Sequence, residues 1–337
     1  MNKVLFPLGK KIYKANLHVH TTISDGNVTA EQVKDAYKAQ GYSIVAFTDH
    51  EVLIDHSDLD DENFLAITSY EWAVGQRGVP YKFGKTCDLN LYALDQHNTT
   101  QVCFDPEKVW HSTAEEIAQV KYHGKLYKSE YSPECINEVI REAKKHGFLV
   151  CWNHPDYSLE DFDDIWMKYE GYDAMEIFNT GSRIGGWPGD NSALYDRVLR
   201  SGKLVFPIAA DDSHGLRGKH PLSSNFGGFC MIAADELDYS MVMQALQKGD
   251  FYASTGPTID KIWVEGDKVC VECPPAVEIN FRTGSRRGRM NTGEGRSPIT
   301  YAEFQMERDD KYVYIAVKSP DGEWAYTRAF TTDEIFD

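Results

Sequence analysis

No stretch of the 337-residue chain approaches the roughly 20 apolar residues of a membrane span, so a spanning helix is not expected. Met1 to Lys14 holds no long apolar run, and no signal peptide is read there. The seven cysteines form no regular even framework, which points to reduced thiols and a cytoplasmic setting. Cys270 and Cys273 make one C-x-x-C, but no second pair stands at zinc-finger spacing. Acidic residues outnumber basic ones, 52 to 35. The net charge of −17 argues against general nucleic-acid binding, which needs a basic face. Clustered carboxylates holding cations would neutralise part of that excess. There is no internal repeat and no low-complexity tract.

What the chain does have is an alternation of short apolar runs and amphipathic helical patterns from about residue 15 to about 255. Thr29-Ala30-Glu31-Gln32 reads as a capping box opening a helix that Gly41 stops. Ser132-Pro133 has N-cap and N1 character for a helix running to about His146. The alternation predicts a largely parallel sheet, whose C-terminal edge is where sites are built. Residues 80–131 interrupt the pattern, and the polar stretch of about 95–131 reads as a functional insertion such as a lid, or as a mobile one. After Gly256-Pro257, alternating strand patterns predict a small antiparallel β domain over 258–337. Its arginines, Arg282, Arg286, Arg287, Arg289 and Arg296, read as a solvated or partner-facing surface.

The apolar runs end in a particular kind of side chain. His18-Val19-His20 lies on the first run, and the period of two predicts both imidazoles on one face with Leu17 and Val19 on the other. Later runs lead into His50, Glu71, His154 and Asp212-Ser213-His214, and Asp25 follows the first. Singly, these signals are weak: a lone His154 before Pro155 is more often structural than ligating. Together, His18, His20, Asp25, His50, Glu71, His154, Asp212 and His214 make a mixed imidazole and carboxylate set that suits Zn²⁺, Mn²⁺ or Fe²⁺. Eight donors exceed the needs of one ion, so two or three divalent ions are expected, with a carboxylate between them. Adjacent ions suit a phosphate ester, whose charge needs the most neutralisation.

His18-x-His20-Thr21-x-x-Ser24-Asp25-Gly26, Thr48-Asp49-His50, Glu71, His154 and Asp212-x-His214 resemble the successive motifs of the PHP (polymerase and histidinol phosphatase) superfamily. Ala209 to His214 and Phe251-Tyr252-Ala253-Ser254-Thr255-Gly256-Pro257 are similar to its CehA/McbA-type branch. The resemblance covers roughly residues 14–257. It implies a distorted seven-stranded β/α (TIM-like) barrel, with up to three ions at its C-terminal face. By the same analogy, His18, His20, Glu71 and Asp212 hold one ion, Asp25, His50 and His214 another, and His154 joins Glu71 on a middle one. Family members usually offer a further histidine where this chain has Asp88. Asp88 either ligates through oxygen or leaves the middle position weak.

Substrate-facing candidates are Arg183 and Asn179 after one strand, and Arg217 and Lys219 after the last motif. Glu176 is either a buried structural carboxylate or a ligand, and His111 and His123 are lone loop histidines with no assigned role as proton donors. The expected activity is a metal-dependent phosphoesterase, in which a hydroxide held between the ions attacks a small phosphorylated substrate. A carboxyl- or carbamate-ester hydrolase and a non-catalytic metal-stabilised binding protein are the alternatives.

Overall fold

The computed structural model describes residues 3–7, 9–160, 164–216 and 223–337. In chain order the elements are β1 (Lys3–Phe6), β2 (Lys11–Val19), α1 (Ala30–Lys38), β3 (Ile44–Phe47), β4 (Leu65–Gly75), β5 (Thr86–Ala93), α2 (Ala114–Ile117), α3 (Pro133–Lys145), β6 (Phe148–Trp152), β7 (Ala174–Asn179), α4 (Thr180–Ile184), α5 (Ser192–Arg200), β8 (Phe206–Ala210), β9 (Phe229–Ala234), α6 (Tyr239–Lys248) and β10 (Phe251–Ser254). Eight further strands follow: β11 (Lys261–Glu265), β12 (Lys268–Ala276), β13 (Glu278–Thr283), β14 (Gly288–Asn291), β15 (Ile299–Gln305), β16 (Tyr312–Lys318), β17 (Trp324–Thr327) and β18 (Phe330–Thr331), with α7 (Thr332–Phe336) at the end. The capping signals act as expected. Thr29 and Gln32 exchange both capping-box bonds ahead of α1, and Ser132 accepts from Cys135 N ahead of α3.

The large sheet runs β14-β13-β16-β17-β10-β9-β2-β3-β4-β5-β6-β7-β8. Strands β2 to β8 follow one another in sequence order, but they are not all parallel. β2-β3-β4 and β6-β7-β8 are parallel, whereas β5 is antiparallel to both neighbours. The ten-residue link from β4 to β5 contains only a single 3₁₀ turn, and a return that short reverses the strand. The expected closed barrel is not formed as a ladder. Among the described residues, only an isolated parallel bridge, Val19 with Ser213, joins β2 to the segment after β8. The sheet nevertheless curls around a shared core: Ala15, Leu17, Ile44, Ile67, Leu149 and Ile208, from five of its strands, pack in one cluster.

The pairing of β2 with β3 shifts register between Asn16 and Val19. Strict alternation fails there. Leu17 stays with the inner cluster, while Val19 packs with Ala30, Val33 and Tyr37 of α1. His18 and His20 still share a side, as expected, but Leu17 and Val19 do not.

The C-terminal strands are antiparallel, as their patterning predicts, and make two layers. β1-β11-β12-β15 form a separate sheet, so the N-terminal strand belongs to this layer. β13, β16 and β17 extend the large sheet through the β10–β17 pairing. Ile262, Val264 and Val271 from one layer and Ile279, Phe281 and Ile315 from the other fill the core between them. Cys270 and Cys273 lie buried on β12 as free thiols. No helix among the described residues is long and apolar enough to cross a membrane.

Candidate metal centre

All eight expected donors meet at one end of the curled sheet. They fall into three overlapping groups whose donor atoms lie within 4.8 Å of one another: His20, Asp25, His50 and His214; His18, Glu71 and His154; and His18, His20 and Asp212. His18 Nε2 is 3.1 Å from His20 Nε2, and Asp212 Oδ1 lies 3.4 and 3.2 Å from the two. A triangle with edges near 3.2 Å has its corners about 1.9 Å from its centre, which matches first-row N/O coordination distances of about 2.0–2.2 Å. Glu71 joins the groups. Its Oε2 is 3.2, 3.3 and 3.3 Å from His18 Nε2, His20 Nε2 and His50 Nδ1, and its Oε1 is 3.4 Å from His154 Nε2. The open side is formed by Asp25, His50 and His214, with His214 Nε2 3.1 Å from Asp25 Oδ2.

Buried neighbours aim these donors. Glu176 Oε1 is 2.7 Å from His18 Nδ1, and its Oε2 accepts from the His154 backbone N–H at 3.0 Å and from Asn179 Nδ2 at 2.8 Å. That bond presents Nε2 of His18 to the cluster, which identifies Glu176 as an orienting carboxylate. Asn153 Nδ2 donates to Glu71 Oε1 at 2.7 Å. Asp49 accepts from the backbone and hydroxyls of Thr21 and Ser24, holding the loop that carries Asp25. Gly26 closes this loop against the His20 backbone, where a Cβ would collide. His154 and Asp212 have φ of 21° and 51°, a sparsely populated region in which backbone strain gathers at functional sites.

The electrostatics call for positive charge. Burial disfavours a charged His18, yet Asp212, Glu71 and Glu176 outweigh it and raise its pKa well above the usual imidazole value. Burial likewise opposes charge on His20 and His154. Hydrogen bonds to Asp212 and Glu71 lift His20 to about 10, and Glu71 lifts His154 to about 9. Glu71 and Asp212 are held well below the carboxylate range by the surrounding imidazoles, against the effect of burial. His50 goes the other way: burial pushes it down to about 4. The carboxylates therefore draw either protons onto the rings or cations between them, and this donor set fits borderline divalent ions.

Some expected residues are placed elsewhere. Asp88 faces the cavity but belongs to none of the three groups. Its Oδ2 is 3.9 Å from His154 Nδ1 and bonds Thr86 Oγ1 at 3.1 Å and Ser158 Oγ at 3.4 Å, and burial raises its pKa to about 6. Arg183 does not reach the cavity; its guanidinium turns to Glu323, 3.4 Å away, and is half-exposed. Asn179 is fully buried and spent on Glu176, Asp212 and the Ser182 N–H, so it positions the site and is not free for a substrate. Arg217 and Lys219 lie outside the described residues. His123 stacks on His146 after α3, with centroids 3.7 Å apart. Its insertion also carries Trp110, whose ring lies 6.5 Å from that of His50, and His111, whose Nε2 is buried without a hydrogen-bond partner.

The donors border a cavity of about 470 Å³ whose walls include Tyr81, Tyr157, Ser182 and Ile184. No arginine or lysine is among the described lining residues. Tyr81 and Tyr157 come from loops and carried no sequence signal. Asn153 and Asp49 are sequence neighbours of expected donors, and Glu176 takes the structural one of its two possible roles, bonded to His18 and outside the donor groups.

A curled sheet that gathers these imidazoles and carboxylates defines a candidate metal centre. Residues 16–151 match the family model of the PHP domain. His154, Asp212 and His214 lie beyond that match and complete the same cluster. No curated protein matches the chain. Among solved structures, it is similar to a two-domain protein from Bacteroides vulgatus containing a predicted PHP-like metal-dependent phosphoesterase, at 15% identity over 98% of both chains and a TM-score of 0.47. A candidate metal-dependent phosphoesterase from Bifidobacterium adolescentis is 17% identical, over 61% of this chain and 89% of that one, with a TM-score of 0.37. An amidohydrolase from Chromobacterium violaceum, with bound sulfate and no metal, is 13% identical over 62% and 93%, with a TM-score of 0.38.

Proposed function

We propose that the protein is a metal-dependent phosphoesterase acting on a small phosphorylated substrate, with two or three Zn²⁺, Mn²⁺ or Fe²⁺ ions. The observation that carries this reading is the position of Glu71. One oxygen faces His18, His20 and His50 and the other faces His154, so one carboxylate serves two adjacent donor groups. When bound, neighbouring ions lower the pKa of water and neutralise charge on a transferring phosphoryl group. The chain's own part is to fix the donors and leave an approach. Glu176 sets the ring orientation of His18, Asn153 holds Glu71, and Asp49 anchors the Asp25 loop. Asp25, His50 and His214 leave the cluster reachable from the cavity, His214 being the most exposed of the donors.

A carboxyl- or carbamate-ester hydrolase of CehA/McbA type is the second reading, favoured by the lack of a basic side chain among the described lining residues. In either reading, residues up to about 257 house the chemistry as a distorted barrel, and 258–337 act as an accessory unit. The buried free thiols support a cytoplasmic setting. The test is hydrolysis of phosphomonoesters, phosphodiesters and aryl carboxyl esters by protein loaded with Mn²⁺, Fe²⁺ or Zn²⁺, with His20→Ala as control. Phosphoester turnover that His20→Ala abolishes is expected. Turnover of carboxyl esters alone would establish the second reading, and turnover unchanged in the mutant would overturn both.

A further inference from the structure

Beside the metal cavity lies a second, smaller one of about 180 Å³. The two share Tyr81 and Tyr157, whose hydroxyls are 3.3 Å apart. The smaller cavity is open on one side, and Leu159, Trp187, Thr86 and Gly84 complete its lining. Lys82 is at its edge, but its ammonium lies 4.8 Å from the centre of the Phe83 ring, so charge is drawn aside from the apolar wall. A cavity of about 150 Å³ with apolar walls holds a benzene ring. Tyr81 on the wall of the smaller cavity is 72% exposed, and Phe83, two residues on in the same loop, is 66% exposed. Ligand pockets are lined mainly by hydrophobic and aromatic side chains with a few polar groups among them.

Resting on the phosphoesterase reading, the geometry points to a substrate whose leaving group carries a single planar aromatic ring. The ester group sits among the metal donors, and the ring passes the Tyr81–Tyr157 pair to lie against Trp187 and Leu159. One tyrosine hydroxyl donates to the other, which leaves one neutral O–H to donate where the two parts of the substrate join. Tyr81 and Trp187 are specificity-determining residues in this scheme, since they touch the ring and not the reacting atoms.

Binding of non-hydrolysable phosphonates to the Mn²⁺-loaded full chain tests this without the bias of leaving-group reactivity. Calorimetry should show phenylphosphonate binding about tenfold or more tighter than methylphosphonate, the gain expected from burying a ring. Trp187→Ala and, separately, Tyr81→Ala should each shrink that ratio by about fivefold. Tyr81 is so exposed that its replacement leaves folding intact, which keeps the test valid if Trp187→Ala is unstable. Equal affinities, or a ratio unchanged in both variants, would overturn the ring subsite. If phosphoesters are still hydrolysed in that case, the phosphoesterase reading stands without it. If neither phosphonate binds and no phosphoester is turned over, both fall.

Discussion

Replacing Glu176 with glutamine tests whether the buried neighbours of the cluster govern metal binding. Glu176 is fully buried, and its two oxygens accept from His18 Nδ1, the His154 N–H and Asn179 Nδ2. Glutamine has one accepting oxygen and one donating amide. If the oxygen serves His18, the amide faces two donors; if it is reversed, His18 loses its anchor. Carboxylates that orient ligating histidines are worth about 10–100-fold in metal affinity, or about 1.4–2.7 kcal/mol. A buried donor left without a partner costs the metal-free fold about 1–3 kcal/mol as well. Removal of the charge also eases deprotonation of His18, which works in the opposite direction and fades at alkaline pH. Titration with Mn²⁺ against a chelator, at neutral and alkaline pH, should therefore show the loss most clearly at alkaline pH. An affinity within about twofold of wild type at both pH values would refute the orienting role.

Three other outcomes follow from the same geometry. In the absence of ions, His20 and His154 titrate at about 10 and about 9, above the ordinary imidazole value. Their stabilising contribution is present below about pH 6.5 and is lost as pH rises through those values. The melting temperature of chelator-treated protein should thus fall by about 5 °C or more between neutral pH and about pH 10, and bound ions should suppress much of that fall. Because the rings must release protons to ligate, apparent metal affinity should rise with pH, and buffer-dependent calorimetry should detect the protons released. Asp88→Ala should leave the number of bound ions unchanged, since Asp88 lies outside the donor groups; a loss of about one ion per chain, by elemental analysis, would make it a ligand. Arg183→Ala should change kcat/KM by less than about threefold, because its exposed pair with Glu323 carries little energy.

The donor set was legible because it is written locally. Most of the apolar runs lead into an imidazole or a carboxylate, and the parallel strands bring those ends together. Capping at Thr29 and Ser132 was legible for the same reason. Long-range pairing was not. Nothing local in Lys3–Phe6 shows that it will join β11, and β5 reads as one more buried run whichever way it points. The divergence of Leu17 from Val19 depends on a register shift against β3, which the sequence of β2 alone does not show. Arg183 follows a strand end, as a substrate residue would, but the approach of Glu323 from the C-terminal region decides its direction. Tyr81 and Tyr157 reach the cavity from irregular loops, where periodicity carries no information.

The central claim is that Glu71 stands between adjacent ions. Anomalous diffraction from Mn²⁺-soaked crystals, recorded at the metal edge, tests it directly. Two or more peaks about 3.5–4 Å apart, on opposite sides of the Glu71 carboxylate, are predicted. A single peak held by His18, His20 and Asp212, with none near His154 or His214, would contradict it.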